Sequence, residues 1–291
     1  MNETFDRLII RILFTIFICL ALFIYKYAHV IFYPSGKKQL LKRIYPAENY
    51  IDTLHIFSRI IGVSIIFSTL EFNEYFGISI SLVHFLTWSL IGFSLYLVSI
   101  YVSESIIFYN FEYKDEVLKK KNAAYGMVGF VNSICLALIV KKIFTEAENS
   151  LIILLIMWLF SMVLYGFSTK LYKYVSDLNF NSQMIQQNLG LGFSFGGYLL
   201  GVTVIITASF SHEHIDITSY LVQVILKVLL GALILPLFML GIKFIFKVDE
   251  EGQDYKTIGH GVYSGSVFLA ASFLTSIIVG QINFGTIYPF F

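Results

Sequence analysis

The chain has 291 residues, of which 57% are hydrophobic and 13% are charged, and its mean hydropathy is +0.77. A soluble domain is typically about half apolar and about one quarter charged, so this composition excludes an ordinary soluble protein and indicates an integral membrane protein. The formal net charge of +1 also excludes a nucleic-acid binder, which needs a clustered basic surface.

Eight apolar segments are long enough to cross a bilayer, which takes about 20 residues. They lie near residues 8–33, 50–70, 78–109, 122–143, 150–170, 186–210, 217–245 and 257–281. The first segment is too long for the core of a signal peptide and lacks a small-residue cleavage pattern, so we expect it to remain as the first span. The predicted fold class is all-α, a polytopic membrane protein whose eight helices form four repeated hairpins.

Lysine and arginine are distributed unequally between the links that join the spans. Alternate links contain thirteen of these residues: Lys37, Lys38, Lys42, Arg43, Lys114, Lys119, Lys120, Lys121, Lys170, Lys173, Lys243, Lys247 and Lys256. The opposite side has Arg7, Lys141 and Lys142. Because short cytoplasmic loops retain positive charge, we predict that the basic links are cytoplasmic and that both termini lie outside the cytoplasm.

A short motif recurs at the start of the second helix of each hairpin. "NAAYG" begins at Asn122, "NLGLG" begins at Asn188 and "TIGHG" begins at Thr257, so the motif returns at a nearly constant interval. "HIFSR", which begins at His55, stands one such interval before Asn122 and is assigned the equivalent position without the glycines. This period predicts four hairpins, of which the first is the most divergent.

Small residues follow the motif at spacings that favour close helix packing. Helices in lipid gain no hydrophobic energy by meeting, so small residues at their contacts let the backbones approach. The predicted packing pairs are Gly126 with Gly129, Gly192 with Gly196, Gly197 with Gly201, and Gly261 with Gly265. Asn122 and Asn188 are expected to cap free N–H groups or to bond to a neighbouring helix. Because each hairpin adds two spans, the repeats share one orientation, which permits a central pathway without requiring one.

The segments "DEVLKKKNAAYGMVGFVNSICLALIV" (115–140) and "SQMIQQNLGLGFSFGGYLLGVTVII" (182–206) resemble the signature of the bacterial YjfL-like inner-membrane family, a domain of unknown function. That family places an acidic residue before an Asn that small residues follow. Glu116 and Asn122 match this pattern, whereas Gln183 replaces the acid in the second copy. The resemblance implies two tandem four-helix units in a bacterial inner (plasma) membrane, and it implies no activity, ligand or catalytic residue. The implied units are residues 1–146 and 147–291.

Two cations lie deep in predicted spans, where a charge is costly and usually faces an interior or a water-filled cavity. Arg59 is near the middle of the second span, at the position that Gly126 has in its repeat, and Lys227 is near the middle of the seventh. The sequence offers no carboxylate of similar depth to pair with either. Two interpretations remain open: the cations line an anion pathway or bind lipid phosphate, or backbone carbonyls and snorkelling accommodate them.

Three other polar residues in the spans, His55, Asn132 and His260, are candidate site residues, and Glu104 is a fourth polar residue that is not. His55 precedes Arg59 by one helical turn and shares its face, and His260 lies in the motif of the fourth hairpin. Each histidine either relays protons or is a hydrogen-bonded packing residue. Asn132, near the bilayer centre, is expected to bond to another helix or to line the pathway. Glu104, near the end of the third span, is expected to be a solvated charge beside the lysines.

Nothing in the sequence predicts catalysis or metal binding. The external turn "SHEHID" (211–216) supplies too few ligands for a metal, and Cys19 and Cys135 lie in different apolar segments, where a thiol behaves as a small hydrophobe. No nucleophile, base and orienting group occur together, and there is no cofactor motif. We therefore predict no enzyme activity, no cofactor and no metal.

Two functions from different classes follow. The first is a channel-like or transporter-like pathway for a small anionic solute, based on Arg59, Lys227 and the glycine-faced repeat. The alternative is a non-transporting scaffold whose basic loops, above all "EYKDEVLKKK" (112–121), recruit protein partners or anionic lipids, as in an envelope-stress system. The expected partners are the lipid bilayer and a second copy of the chain or a cytoplasmic protein. A hydrated cavity shared by Arg59 and Lys227 would favour the pathway, and packed positions would favour the scaffold.

Overall fold

The computed structural model describes residues 3–34, 48–70, 78–147, 150–176, 179–210, 216–246 and 257–285. Within these ranges every regular element is a helix. The α-helices are α1 (Glu3–Phe32), α2 (Tyr50–Phe67), α3 (Ile78–Ile107), α4 (Ala123–Glu146), α5 (Leu151–Val175), α6 (Phe180–Ile185), α7 (Leu189–Ser209), α8 (Ile217–Ile245) and α9 (Ile258–Gln281). A π-helix (Lys114–Lys119) precedes α4. All the α-helices except α6 are long and apolar enough to cross a membrane, which confirms the predicted all-α fold with eight spans.

Most of these helices begin directly after a residue whose side chain accepts a hydrogen bond from a free N–H of the first turn. The capping residues are Asn49 for α2, Asn122 for α4, Ser150 for α5, Asn179 for α6, Asn188 for α7, Asp216 for α8 and Thr257 for α9. Asn122 accepts from the N–H of Tyr125 at 3.2 Å, and Asn188 accepts from that of Gly190 at 2.9 Å. The caps explain why a polar residue stands where each apolar segment begins.

The second helix of each hairpin packs against the second helix of the next hairpin. Helices α2, α4, α7 and α9 form a row in that order, and the first helices lie against it: α3 contacts α2 and α4, α5 contacts α4 and α7, and α8 contacts α7 and α9. Within the described residues, α2 and α9 form no extended interface with each other. The repeat therefore builds a row rather than a ring around a central space. We call the membrane side on which the four row helices begin the cap side.

The closest approach in the row is between α7 and α9. A Cβ atom built on Gly261 would lie 2.1 Å from the carbonyl oxygen of Gly190, and one on Gly265 would lie 2.4 Å from that of Phe193. A Cβ on Gly197 would lie 2.4 Å from the carbonyl oxygen of Gly265. Real side chains do not reach such distances from backbone atoms, so this interface requires glycine on both helices.

The other predicted packing glycines also face the neighbouring row helix, where the nearest atoms belong to side chains rather than to the backbone. The nearest distances from a built Cβ atom are 2.8 Å for Gly126 (to Ile51 of α2), 3.0 Å for Gly192 (to Met127 of α4), 3.1 Å for Gly196 (to Val131 of α4), 2.4 Å for Gly201 (to the hydroxyl of Ser272 of α9) and 3.7 Å for Gly129 (to His55 of α2). The glycine-faced contacts expected from the sequence thus lie along the row.

The first hairpin aligns with the others in a different register from the one predicted. Helix α2 begins at Tyr50, directly after Asn49, as α4 begins directly after Asn122. The fourth residue of α2, which corresponds to Gly126, is therefore Thr53 and not Arg59. The alignment of "HIFSR" with "NAAYG" is wrong by six residues, because the first hairpin has the capping asparagine but lacks the small residues that mark the motif.

Candidate functional site

Arg59 and Glu104 form a buried ion pair between α2 and α3. Arg59 Nη2 donates to Glu104 Oε1, and the two side chains are 1% and 13% exposed. Arg59 Nη1 donates to the carbonyl of Gly129 at 3.0 Å and to Ser58 Oγ at 3.1 Å, so the guanidinium also joins α4. The expectation that no carboxylate lies within reach of Arg59 is wrong, and Glu104 is not a solvated end charge.

Helix geometry explains both errors. Arg59 lies nine residues after the cap-side start of α2, about 14 Å along the axis at ~1.5 Å per residue. Glu104 lies three residues before the cap-side end of α3, so its backbone is closer to the cap side than that of Arg59. The long side chains of Arg59 and Glu104 bridge this difference in depth. A signal was present in the sequence, since Tyr96, Ile100 and Glu104 recur every four residues and the first two are buried. That spacing places Glu104 on the inward face of α3.

Tyr33 and His55 complete the polar cluster around the ion pair. The Tyr33 hydroxyl, just after α1, donates to Glu104 Oε2. His55 Nε2 lies 3.1 Å from Arg59 Nη2, which fits a neutral ring that accepts at Nε2 and has its hydrogen on Nδ1. The rings of Tyr33 and His55 meet edge to face, with centroids 4.8 Å apart. The Glu104 carboxylate thus connects the end of α1 with α2 and α3.

A second polar pair fixes the link that follows α3. The Tyr113 hydroxyl donates to Asp52 Oδ1, and Asp52 is in the first turn of α2, where the helix dipole favours a carboxylate. Burial, reinforced by the neighbouring Asp52 carboxylate, raises the pKa of the Tyr113 hydroxyl well above its ordinary value. Tyr113 therefore remains protonated and keeps its role as donor.

The capping asparagines also join successive hairpins. Nδ2 of Asn49 donates to the carbonyl of Val117, and Nδ2 of Asn122 donates to the carbonyl of Met184, both at 2.9 Å. Val117 and Met184 occupy corresponding places, each in the link before the next row helix. One asparagine thus caps its own helix and holds the link of the following hairpin.

The acidic residue that precedes Asn122 belongs to the same arrangement. Asn122 Nδ2 donates to Glu116 Oε2 at 2.7 Å, and Asn188 Nδ2 donates to Gln183 Oε1 at 2.7 Å. The amide oxygen of Gln183 replaces the carboxylate oxygen as acceptor, so the departure from the acidic pattern preserves the hydrogen bond. Glu116 is 3% exposed, and its contacts give it a structural role in the repeat.

Two clefts open on the cap side, beneath the ends of the first helices. The acidic cleft, about 310 Å³, lies between Tyr33, the end of α3 and the link 108–114, and its charged lining residues are Glu104, Glu112 and Lys114. The basic cleft, about 320 Å³, lies between the ends of α3 and α5 and the start of α6, and Lys170 and Lys173 are in its lining. The clefts occupy corresponding positions in successive hairpins.

At equivalent positions of the repeat, the two clefts have side chains of opposite charge. Glu104 precedes the capping Asn122 by the same interval along the chain as that by which Lys170 precedes the capping Asn188. None of the described residues that line the basic cleft is acidic. The other polar residues in its lining are Thr169, Tyr172, Asn179 and Asn181. The basic cleft therefore favours an anion.

Both lysines of the basic cleft lie at the boundary between apolar and polar surface. Lys170 Nζ donates to the carbonyl of Ile106 at 3.1 Å and lies 5.2 Å from the ring centroid of Tyr109. Lys173 Nζ lies 4.8 Å from the ring centroid of Tyr174, which is 74% exposed. The cleft thus opens beside aromatic side chains at the end of a membrane span, the level at which lipid headgroups lie.

Lys227 is fully buried in α8. Its charged neighbours include Glu146 and Lys142 at the end of α4. Lys227 lies ten residues from the start of α8, on the membrane side opposite the cap side, whereas Arg59 lies nine residues from the cap side. The two cations thus enter the membrane from opposite sides on different helices, and neither lines either cleft.

Asn132 and His260 lie apart from the Arg59 cluster. Asn132 Oδ1 accepts from Ser103 Oγ of α3 at 2.8 Å and from the Tyr165 hydroxyl of α5 at 2.9 Å, which are the interhelical bonds expected of it. His260 is in the first turn of α9, where its backbone N–H donates to Thr257 Oγ1, at the opposite end of the row from Arg59.

The two cysteines lie on different helices, and the external turn directly precedes α8 in the sequence. Cys19 is an exposed free thiol on α1, and Cys135 is a buried free thiol on α4. Within the described ranges, no group of three or more His, Cys, Asp or Glu residues is arranged to hold a metal. Residues 211–215 of the "SHEHID" turn lie outside those ranges, and Asp216 caps α8.

Comparison with known proteins identifies the family. The family described as Domain of Unknown Function (DUF350) matches residues 4–144 and again residues 146–279. The chain belongs to the DUF350 family. It contains two tandem copies of the DUF350 domain, which confirms the family indicated by the Glu116 and Asn122 pattern and leaves the YjfL-like name as a resemblance.

This DUF350 protein is also similar to a UPF0719 transmembrane protein of Aquifex aeolicus (strain VF5). The two are 22% identical over 258 residues, which cover 86% of this chain and 93% of the relative. No solved structure matches the DUF350 chain significantly. The description of the relative agrees with a multi-pass membrane protein and assigns no activity.

Proposed function

We propose that this DUF350 protein is a non-conducting, non-enzymatic membrane module that binds the phosphate of an anionic lipid in its basic cleft. The observation that supports this function is the cleft itself, in which Lys170 and Lys173 face a space of about 320 Å³ and no described lining residue is acidic. Lysine ammonium groups bind phosphate as point charges. Each lysine near an anionic membrane surface contributes roughly 1 kcal/mol to such binding.

The position of the basic cleft favours a lipid over a dissolved anion. Val163 and Phe167, which lie deeper in the membrane than the two lysines on the same helix, are 67% and 64% exposed. In a membrane protein such apolar exposure is contact with acyl chains. A lipid whose tails lie against these residues presents its phosphate at the level of Lys170 and Lys173.

The proposal places the cap side in the cytoplasm of a bacterium. The links on that side contain thirteen lysines and arginines and the links on the other side contain three, the imbalance that short cytoplasmic loops show. Anionic lipids in the cytoplasmic leaflet of the inner membrane would therefore face the basic cleft.

The decisive experiment compares lipid binding by charge-matched variants. Purified protein in nanodiscs that contain phosphatidylglycerol in a phosphatidylcholine background is assayed by native mass spectrometry for retained lipid. We expect the double variant Lys170→Gln, Lys173→Gln to lose about 2 kcal/mol of binding, roughly a 30-fold loss of affinity for phosphatidylglycerol. The control is Lys119→Gln, Lys243→Gln, which removes the same charge from exposed cap-side positions outside the cleft and should retain the lipid.

Competition separates a lipid from a dissolved phosphate. Inorganic phosphate or glycerol phosphate at millimolar concentration should leave the retained lipid unchanged, because neither supplies acyl chains to pack beside Val163 and Phe167. Equal retention by both double variants would contradict the lipid site. Displacement by inorganic phosphate would identify a soluble anion as the ligand instead.

The anion pathway has less support. It depends on Arg59 and Lys227 as cations of one shared cavity, whereas Arg59 is ion-paired with Glu104 and neither cation lines either cleft. Anion flux into proteoliposomes distinguishes the two functions. Under our proposal neither the parent protein nor the folded Arg59→Ala, Lys227→Ala variant conducts, and flux that disappears in the double variant would restore the pathway.

A further inference from the structure

Each row helix presents two faces to its neighbours. The front face contains the fourth and eighth residues of the helix and packs on the preceding row helix. The rear face contains the second, fifth, ninth, thirteenth and sixteenth residues and packs on the following one. The front positions are Gly192 and Gly196 in α7 and Gly261 and Gly265 in α9.

The rear faces of the first three row helices are covered mainly by the next row helix, and Gly62 of α2 is covered by Tyr96 of α3. Their residues are Ile51, Leu54, Ser58, Gly62 and Ile65 in α2; Ala124, Met127, Val131, Cys135 and Leu138 in α4; and Gly190, Phe193, Gly197, Gly201 and Val204 in α7. Every one of these residues is buried or half-buried. Their contacts include Ile51 with Gly126, Val131 with Gly196, and Gly190 with Gly261. The rear face is thus an interface that the fold uses three times.

The rear face of α9 has the same register and no neighbour within the described residues. Its residues are Gly259, Val262, Ser266, Ala270 and Phe273, and all of them are exposed. They stand at the positions of Gly190, Phe193, Gly197, Gly201 and Val204 in α7. Phe273 is 55% exposed and Val262 is 42% exposed. The sequence of α9 therefore repeats an interface that is left open by the part of the chain that the structure describes.

We infer that a second copy of the chain packs on the rear face of α9 through a symmetric contact between the two α9 helices. Each copy contributes the rear positions that α7 uses to pack on the front of α9, and in the symmetric contact these positions meet each other, with small residues near the cap side and Phe273 deeper in the membrane. Both copies have one orientation in the bilayer, so a two-fold axis along the membrane normal brings identical faces together. Ser266, in the middle of the face, supplies a hydroxyl that bonds across such contacts.

The alternative contact, in which α9 packs on α2 of a second copy, is disfavoured by the front face of α2. The fourth and eighth residues of α2 are Thr53 and Phe57, where α7 and α9 have glycines. A phenylalanine that is 45% exposed keeps another backbone at a distance. That contact would also be head to tail, so that it closes only as a ring and otherwise leaves an open face at each end.

Disulfide crosslinking in native membranes tests this inference on the full chain. In a Cys19→Ser background, which removes the exposed native thiol, we expect Ser266→Cys to form a disulfide-linked dimer on mild oxidation. The matched control is Leu237→Cys on α8, which is 68% exposed and lies eight residues from the cap-side end of its helix, as Ser266 lies eight residues from the start of α9. A specific interface should give roughly ten times more dimer for Ser266→Cys than for Leu237→Cys.

Two further measurements test which faces meet and how many chains the assembly contains. Co-expression of differently tagged Ser266→Cys and Phe57→Cys chains should yield mainly Ser266 homodimers, and a predominant mixed disulfide would overturn the symmetric contact. Single-molecule photobleaching of the parent protein in liposomes should show two steps, and Ser266→Trp should convert them to one. Equal crosslinking of Ser266→Cys and Leu237→Cys, or a monomeric parent protein, would refute the dimer. None of these results depends on lipid binding in the basic cleft.

Discussion

The buried ion pair yields the sharpest stability prediction. Glu104→Gln keeps the shape of the side chain and its acceptor for Tyr33 but removes the negative charge opposite Arg59. Breaking a buried pair in this way costs about 3–5 kcal/mol when the remaining charge has no other partner. Arg59 keeps its bonds to Gly129 and Ser58, and Glu104 is 13% exposed, so we expect the lower limit, about 3 kcal/mol.

Thermal unfolding of the detergent-solubilised protein, followed by tryptophan fluorescence, measures this loss. At roughly 2–4 °C per kcal/mol for a chain of this size, the Tm of Glu104→Gln should fall by about 6–12 °C. The double variant Arg59→Met, Glu104→Gln removes the uncompensated cation and should recover most of the Tm. Asp115→Asn is the control, because it breaks an exposed pair with Lys119, and it should leave the Tm unchanged.

Either of two results would refute a stabilising role for the ion pair between Arg59 and Glu104. An unchanged Tm for Glu104→Gln would mean that the carboxylate does not compensate the charge of Arg59 in the folded protein. A double variant that melts as early as the single variant would mean that the loss comes from packing around Glu104. Both results are independent of the function proposed for the basic cleft.

Three further variants test other parts of the row by the same melting assay. Gly261→Ala places a Cβ atom 2.1 Å from a backbone oxygen. It should lower the stability by at least the 1–3 kcal/mol that is roughly typical of overpacking, and the Tm should fall accordingly. Gly280→Ala is the control, because a Cβ atom there has nothing within 4 Å, and its Tm should be equal or higher. Asn122→Asp keeps the cap but replaces two donor hydrogens by a charge beside Glu116, and it should cost about 2–3 kcal/mol. Gln187→Gly relieves a backbone φ of 55° and should stabilise the protein by roughly 0.5–1 kcal/mol.

The sequence predicts the spans and the repeat well because both are local properties. A run of apolar residues has the length of a span whatever surrounds it, and a capping residue such as Asn122 marks a helix start from within one turn. The glycine pairs, such as Gly261 with Gly265, also predict close helix–helix contact from their spacing alone. Only the first hairpin is misaligned, because Asn49 is the one residue of the motif that it has.

The polar cluster is less accessible to sequence reasoning because it depends on the relative depth of different helices. Arg59 and Glu104 are 45 residues apart, and hydropathy gives neither the length of α3 beyond the bilayer nor the lateral order of the helices. The basic cleft has the same difficulty, since Lys170 and Lys173 belong to α5 while the other walls come from α3 and α6. In both cases the sequence shows the charged residues but does not show which residues surround them in the fold.

The linear order of the row has a mechanical consequence. Each inner helix is held mainly by the helices directly before and after it, so the four hairpins resemble the links of a repeat array, whose stability is a sum of unit and neighbour terms. A force applied to the C-terminus should extract the hairpin of α8 and α9 first, against its glycine contact with α7, and the others in reverse chain order. The Glu104 bonds to Arg59 and Tyr33 join α1, α2 and α3, so the first hairpin should resist as one block with the helix that follows it.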